Sequence, residues 1–449
     1  MTAQSKTSQA RRNRMGFDLI FRTLRYRNYR LFFGGQLISL TGTWMQQVAL
    51  MWLVYRLTNS AILLGVVGFA SQMPLFILSP FAGVLADRLN RHRVIIVTQT
   101  LSMLQALVLT VLTLGGIISV WHIVALSAFL GLVNAFDIPT RQSFLLDMIE
   151  RKEDLANAIA LNSSMFNGAR LVGPSIAGLI IAALGEGLCF LFNAVSYVAV
   201  IVALLAMRIK RQKPPELKPQ RVLEGLREGF HYAFGFVPIR SILLLIALVS
   251  LMGMPFTVLM PIVAKDILHG GPHTLGFLMG STGVGALTGA LLLASRKNVL
   301  GLSRWIAAAA GTFGVGLVAF SFSQTLWLSI VLLFIIGLGM MVQMASSNTI
   351  LQTITDDDKR GRVMSFYTMS FMGMIPFGSL LAGSLAGTIG APATLLVSGI
   401  SVILGSAVYV YKLPAIRKEV RVIYTRLGII PELPSALETV TNPAMPPEE

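Results

Sequence analysis

The chain has 449 residues, of which 54% are hydrophobic and only 12% are charged, and its formal net charge is +16. Soluble domains carry about a quarter of their residues as charged side chains, so this composition excludes an ordinary soluble protein. The single cysteine excludes a disulfide framework and a multi-cysteine metal site.

Long neutral stretches separate the charged residues, and each is long enough to cross a bilayer as a helix, which takes about 20 apolar residues. The stretches free of Asp, Glu, Lys and Arg are 31–55, 57–86, 94–136, 187–207, 241–264, 267–295, 305–355 and 363–411, and 155–185 is broken only by Arg170. Three of them are long enough for two spans, with turns expected near Gly115, Ser323 and Gly390. The sequence therefore predicts an all-α integral membrane protein with twelve transmembrane helices, numbered here as spans 1 to 12 in chain order.

The positions of the basic residues predict the orientation of the helices, because cytoplasmic segments retain Lys and Arg. If the amino terminus is cytoplasmic, all but three of the 36 Lys and Arg residues fall on the inner side, the exceptions being Arg56, Arg170 and Lys265. Both termini are therefore expected in the cytoplasm. This topology explains the positive charge, so no nucleic-acid partner is expected.

The chain divides into five segments. These are a basic amphipathic segment (1–30), an amino-terminal six-helix bundle (31–207), a cytoplasmic linker (208–238), a carboxy-terminal six-helix bundle (239–412), and an amphipathic tail (413–449) whose last 20 residues are predicted to be disordered. Apolar residues recur at helical spacing among basic ones in the first segment, the linker and the tail, so we expect these parts to lie on the inner leaflet. They are Phe17, Ile20, Phe21 and Leu24; Val222, Leu226 and Phe230; and Ile416, Val420, Ile423 and Leu427.

The two bundles echo each other in sequence. A shift of 211 residues places Leu64 and Gly65 on Leu275 and Gly276, and a shift of 206 places the charged loop 147–158 on 353–364. The order of spans and charged loops repeats with them. The repeat predicts two pseudo-symmetric, parallel halves, as in internally duplicated transporters.

The short loop between spans 2 and 3, GVLADRLNRHRV (83–94), concentrates charge in an otherwise apolar region. It resembles the signature loop of the major facilitator superfamily, G-x-x-x-D-R-x-G-R-[RK], in which Gly83, Asp87, Arg88 and Arg91 match. Asn90 replaces the second glycine, and asparagine tolerates the left-handed backbone of a tight turn better than most residues.

The resemblance implies a cytoplasmic gate around this loop. Asp87 would lie against the start of span 11, near 362–365, and Arg91 would bridge towards Asp137 at the inner end of span 4. Two simpler interpretations stay open. The charges of the loop could serve topology alone, and Asp137 with Arg141 could form a local ion pair four residues apart.

Span 5 contains NGARLVGPSIAG (167–178), which resembles the antiporter motif, a motif associated with the exporters of the superfamily. Gly168, Gly173, Pro174 and Gly178 carry the match, and the same small residues could instead serve helix packing alone. Arg170 lies within this motif and is the one formal charge well inside a span. We expect it to be either a structural tether or a residue of the substrate cavity.

By the same resemblance, spans 1, 4, 7 and 10 line a central substrate cavity. The candidate cavity residues are Gln36, Thr43, Gln47, Asn134, Arg170, Gln343, Met344 and Ser347. Uncharged polar stripes beside adaptable methionines suit a bulky amphipathic solute. The alternative for each polar residue is a hydrogen bond to a neighbouring helix.

Residues 25–412 as a whole resemble the bacterial branch of the superfamily that contains siderophore (enterobactin) exporters and macrolide efflux proteins. This implies a monomeric secondary transporter of the bacterial inner membrane that exports a drug-like or siderophore-like compound by alternating access and proton antiport. Ser127, however, occupies the place where the family often has a proton-transfer arginine. A lipid or lysophospholipid flippase and a non-transporting sensor are the alternatives.

No enzymatic activity, cofactor or metal is expected. The five histidines are scattered over predicted loops and span ends, and the sequence contains neither an H-E-x-x-H motif nor a phosphate-binding Walker loop. The absence of a Walker loop also excludes an ATP-driven pump.

Overall fold

A computed structural model describes residues 22–149, 151–208, 222–296, 298–356 and 359–430, without the side chains of 79–88, 152, 156 and 222–228. Within these ranges the regular elements are helices, and twelve of them are long and apolar enough to cross a membrane. The first six spans are Arg27–Thr58, Ala61–Arg88, Arg91–Leu114, Val120–Asp147, Leu155–Leu184 and Glu186–Leu205. The last six are Val237–Ile267, Pro272–Ala294, Leu302–Ser321, Leu326–Ile354, Arg360–Ile389 and Ala391–Arg426. The predicted twelve-helix membrane fold is confirmed.

The three predicted turns within long neutral stretches are also confirmed. Span 3 ends at Leu114, span 9 at Ser321 and span 11 at Ile389. Gly116 and Gly390 adopt positive φ values of 68° and 83°, which favour glycine. An even number of spans brings Arg27 and Arg426 to the same end of the molecule, here called the terminal end, and the opposite end is called the far end.

The duplication visible in the sequence extends to helix packing. A methyl group built on Gly131 of span 4 would clash with the backbone of Ser71 in span 2. Gly337 of span 10 meets the backbone of Thr282 in span 8 in the same way. The shifts of 206 and 211 residues convert one pair into the other. The two bundles therefore share the same close glycine contact, as parallel halves require.

Spans 7 and 11 are irregular. Span 7 alternates α-helix with two π-helical turns, Val249–Gly253 and Val263–Ile267. Prolines at 255 and 261 remove backbone donors from this region, which explains part of the irregularity. Span 11 consists of Arg360–Phe371 and Ile375–Ile389, joined by a turn that contains Gly373. Such breaks are tolerated in membranes where protein surrounds the helix.

Part of the tail differs from the expectation of leaflet anchoring. In the tail, span 12 continues to Arg426, and Ile416 and Val420 are buried in the hydrophobic core of the protein rather than facing lipid. The linker helix Val222–Gly235 packs Phe230 and Phe234 against Phe366 of span 11, although Phe230 keeps an exposed surface.

Other residues of these segments have only partial descriptions. Leu24 packs against the amino-terminal core. Phe17, Ile20 and Phe21 lie outside the described residues, as do the side chains of Val222 and Leu226.

Candidate transport path between the two bundles

The bundles touch through two glycine contacts near the far end. A methyl group on Gly65 of span 2 would lie 3.0 Å from Cα of Gly383 in span 11, and one on Gly178 of span 5 would lie 2.9 Å from Cα of Gly276 in span 8. Only glycine permits helix axes to approach this closely. Gly65 and Gly276 are the residues that the 211-residue shift superimposes, so the two contacts are related by the internal symmetry.

The antiporter-like motif supplies part of this interface. Gly178 forms one of the contacts, and the carbonyl oxygen of Pro174 lies 2.8 Å from a methyl group built on Gly276. Gly173 packs within its own bundle, where a methyl group would lie 2.6 Å from Cβ of Trp44. Gly168 has no atom within 4 Å of such a methyl group. Three of the four motif residues therefore lie at close helix contacts, and the fourth does not.

A polar cluster joins the far ends of spans 1 and 7. The hydroxyl of Tyr55 donates a hydrogen bond to the carboxylate of Asp266, and Lys265 Nζ donates to Asn59 Oδ1 at 2.6 Å. The ammonium group of Lys265 also lies 5.3 Å from the centre of the Tyr55 ring, in cation–π range. Sequence reasoning missed this cluster. The signal was present, since the 211-residue shift places Tyr55 on Asp266.

Arg170 lies at the boundary between the bundles. Its guanidinium carbon is 5.8 Å from the ring centre of Trp44 in span 1, and its Nη2 is 3.9 Å from Sδ of Met340 in span 10. No carboxylate among the described side chains lies within 4 Å of the guanidinium. The side chain thus contacts helices of both bundles and has no counter-ion among the side chains that the structure describes.

A small cavity adjoins this boundary on the far side. Its volume is about 30 Å³, and it is lined by Trp44, Gln47, Val48, Met51, Thr257, Pro261, Leu275 and Met279. This volume suits about one water molecule, whereas drug-sized ligands occupy several hundred Å³. Gln47, predicted as a cavity residue, lies here with an exposed side chain.

The other predicted cavity residues are dispersed. Thr43 is within 3.3 Å of the Tyr197 hydroxyl, so it faces span 6 of its own bundle. Gln36 is buried, and its Oε1 has no described partner. Asn134 of span 4 is half-buried.

Span 10 holds the remaining three. Gln343 is fully buried, and neither atom of its amide has a described partner. Ser347 donates to the Gln343 carbonyl at 2.7 Å, within the helix, and Met344 packs against the core. The structure therefore brings Gln47 and Arg170 to the inter-bundle boundary and leaves most of the predicted set inside the bundles.

The predicted gate has a different pairing. Arg91 contacts Asp147 at 3.1 Å, whereas Asp137 pairs with Arg141 at 3.2 Å. The expected bridge from Arg91 to Asp137 is therefore wrong, and the local pair of Asp137 with Arg141 is confirmed. The reason is depth, because Asp147 lies ten residues further along span 4, about 15 Å closer to the loop that carries Arg91.

Asp137 has further partners within its bundle. Its Oδ1 accepts hydrogen bonds from Thr98 at 2.7 Å and Gln99 at 2.8 Å, both on span 3. Gly83, Asp87 and Arg88 belong to the end of span 2, where the backbone is helical but the side chains lie outside the described residues.

Residues 20–429 match the family described as transmembrane secretion effector, a branch of the major facilitator superfamily. The chain belongs to this family. Its members are membrane transporters, so the expectation that the chain is not an enzyme is confirmed. The transmembrane secretion effector family thus accounts for the twelve spans and the duplicated bundles described above.

Curated relatives of this secretion effector are named as transporters or efflux proteins. It is 28% identical to the staphyloferrin A transporter of Staphylococcus aureus, over 85% of this chain and 95% of that one. It is 29% identical to the multidrug efflux pump Tap of Mycolicibacterium fortuitum, covering 83% and 92%. Identity to macrolide efflux protein A of Streptococcus pyogenes is 23%, covering 84% and 95%. Export by a major facilitator protein is therefore supported.

Solved structures support the fold. The POT family transporter PepTSo matches with a TM-score of 0.66 at 14% identity, covering 88% of this chain and 99% of that one. A bacterial homologue of the human lysosomal transporter Spinster, in an inward-facing and unoccupied conformation, matches with a TM-score of 0.62 at 14% identity, covering 86% and 96%. At such identities the likeness concerns architecture alone.

Proposed function

We propose that this secretion effector exports a small amphipathic organic compound, drug-like or siderophore-like, across a bacterial inner membrane by alternating access and proton antiport. The chemical range follows the names of the relatives, which include a siderophore transporter and pumps for drugs and macrolides. Both termini would lie in the cytoplasm, since all but three of the 36 Lys and Arg residues would then fall on the inner side.

The contacts that close the bundles against each other at the far end support the proposal of alternating access. They include hydrogen bonds, aromatic pairs and close glycine contacts between the helix midpoints and the far end. A transporter that rocks two halves around a midplane site has one such closed side in each end state. With cytoplasmic termini, this state is closed towards the exterior.

Asp137 is our candidate for proton coupling. It is a buried carboxylate in span 4, held by the neutral donors Thr98 and Gln99 and by Arg141. Ionisable groups at such depth are unfavourable unless paired, and they mark proton relays in transporters. Protonation of Asp137 would weaken its pair with Arg141 and so would couple proton uptake to movement of span 4.

Transport into inverted membrane vesicles with an imposed pH gradient tests this proposal. We expect amphipathic dyes, macrolides or catechol chelators to accumulate in vesicles that contain the protein and to leak out when an ionophore collapses the gradient. Accumulation that ignores the gradient would contradict antiport. Uptake by vesicles of the opposite orientation would contradict export.

Orientation has its own test. A cysteine introduced into the carboxy-terminal tail of a Cys189→Ala protein should react with an impermeant maleimide only after the cells are permeabilised. Labelling of intact cells would contradict the proposed topology.

One observation favours a lipid as the substrate instead. A groove of about 450 Å³ opens sideways between spans 5, 8 and 10, and its lining is almost wholly apolar, including Leu171, Phe277, Val284 and Phe334. A fluorescent phospholipid in proteoliposomes distinguishes the two cases. Protein-dependent flipping without gradient-driven export of soluble compounds would favour a flippase.

A further inference from the structure

We propose that Arg170 binds a carboxylate of the transported compound, so that this exporter selects amphipathic organic acids. The inference rests on the proposed function, because it requires a solute to pass between the bundles. It adds the chemical class of the solute and the residue that selects it.

Depth is the first argument. Arg170 lies at the middle of span 5, which has 30 residues, and its two contacts, Trp44 and Met340, lie at the middle of spans of 32 and 29 residues. An α-helix rises about 1.5 Å per residue, so all three residues are near the midplane of the bilayer. Midplane sites between two repeats are where alternating-access transporters bind their solutes.

The missing counter-ion is the second argument. Two other arginines in the spans have carboxylate partners, in the pairs Arg141–Asp137 and Arg56–Glu186. Among the described side chains, the polar and cation–π contacts of the Arg170 guanidinium are with the face of an indole ring and a thioether, which carry no formal charge. Arg170 is half-buried, and a cation without a counter-ion near the middle of a membrane is unfavourable, so a group that brings a negative charge to this position is stabilised.

The surroundings of Arg170 suit an acid with an aromatic or aliphatic body. Trp44 and Phe166 pack edge to face with ring centres 5.8 Å apart, and Phe166 remains 45% exposed. Gln47 lies on the same helix as Trp44 and lines the adjoining cavity. Arginine offers a planar pair of donors that matches a carboxylate, and the rings offer an apolar surface next to it.

The position of Arg170 also connects binding to movement. Its contacts lie on span 1 of one bundle and span 10 of the other. A bound carboxylate neutralises the cation at the boundary that has to change when the bundles rock. Selection of the anion and release of the boundary therefore involve the same side chain.

Equilibrium binding to the purified full-length protein in nanodiscs tests the inference. The probes are 4-(1-pyrenyl)butyrate and its primary amide, which differ in charge but hardly in size, detected by energy transfer from tryptophan to pyrene. We expect the acid to bind at least about tenfold more tightly than the amide, the effect of one charge-assisted hydrogen bond. Arg170→Gln should remove this preference by weakening the binding of the acid more than that of the amide, while Arg170→Lys should retain part of it.

Arg304→Gln serves as the matched control, because it makes the same change of side chain at an exposed position on span 9, outside the proposed site. Equal affinity for acid and amide in the wild type, binding of neither, or a preference that persists in Arg170→Gln would each overturn the inference. If Arg170→Gln fails to insert into the membrane, the inference is still tested by the affinities of the wild type and of Arg170→Lys for the acid and the amide.

The two proposals fail in different ways. Gradient-driven transport without any preference for the acid contradicts the role of Arg170 and leaves export intact. A clear preference for the acid without gradient-driven transport contradicts the proposed function alone.

Discussion

The two bundles share their helix packing but differ in the chemistry at equivalent positions. The 206-residue shift that relates Gly131 to Gly337 also relates Asp137 to Gln343 and Arg141 to Ser347. In the amino-terminal bundle these positions form an ion pair between the buried Asp137 and the half-buried Arg141, and Thr98 and Gln99 donate hydrogen bonds to Asp137. In the carboxy-terminal bundle they hold an amide without a described partner and a hydroxyl bonded within its own helix.

The difference shows that the two bundles share their close glycine contacts but not their ionisable side chains. Close helix contacts depend on glycine in both bundles, so backbone geometry is common to them. The ionisable group remains in only one of the two compared positions. We therefore expect the amino-terminal bundle to respond to protons and the carboxy-terminal bundle to act as its neutral partner.

The largest effect on transport should come from removing the negative charge of Asp137, which has no counterpart at the equivalent position of the other bundle. Asp137→Asn leaves Arg141 without its carboxylate, so we expect gradient-driven transport to fall at least about tenfold, as a lost charged hydrogen bond of about 1.5 to 3 kcal/mol implies. Transport in proteoliposomes with a pH gradient measures this loss.

The double variant Asp137→Gln with Arg141→Ser gives these positions the residues of the other bundle. It should fold normally, and its transport should not depend on the pH gradient. Gradient-dependent transport by this double variant would refute the difference between the bundles.

A smaller effect is expected at the contacts that the bundles share by symmetry. A methyl group on Gly178 meets the Gly276 backbone at 2.9 Å, so Gly178→Ala should open the far end and raise the impermeant-maleimide labelling of Thr257→Cys about fivefold, or about 1 kcal/mol. The assay uses a Cys189→Ala background. Gly168→Ala on the same helix is the control, since nothing lies within 4 Å of its methyl group. Equal labelling in the two variants would show that the contact does not hold this end closed.

A weaker shift is expected from the polar cluster at the far end. Tyr55→Phe removes one hydrogen bond to the exposed carboxylate of Asp266, worth about 0.5 kcal/mol, and should raise the same labelling about twofold. Tyr411→Phe is the control, because Tyr411 is exposed on span 12. Unchanged labelling in Tyr55→Phe would remove this cluster from the closing of the far end.

The smallest effect is expected in the neutral bundle. Gln343→Leu replaces an amide without described partners by an apolar side chain of similar size, so the free energy of unfolding should change by less than about 1 kcal/mol. Thermal unfolding in detergent measures the change. Normal stability combined with lost transport would instead assign Gln343 to the substrate path, as the sequence suggested.

Most of the fold could be predicted because its signals are local. Neutral stretches gave the spans, and Gly115, Ser323 and Gly390 marked turns that the structure confirms. The burial of Ile416 and Val420 could not be foreseen, because a helical apolar stripe looks the same whether lipid or protein covers it.

The site was harder to predict because its contacts join residues far apart in the chain. Two acids of span 4, Asp137 and Asp147, were candidate partners for Arg91. Arg91 pairs with Asp147 because that residue lies closer to the loop. Thr43 and Gln47 lie four residues apart on one stripe, yet the first faces Tyr197 and the second a cavity. A hydrophobicity pattern indicates which residues are polar, but it does not indicate which helix each of them faces.

The glycine contacts between the bundles have a consequence for the speed of opening. Gly65 meets Gly383, and Gly178 meets Gly276, through backbone atoms alone. No side chains interdigitate at these two contacts, so the helices can separate there without a change of side-chain rotamer. Separation at these two points exposes apolar helix surface, so we expect the temperature dependence of the opening rate to show the heat-capacity change of exposing apolar area to water.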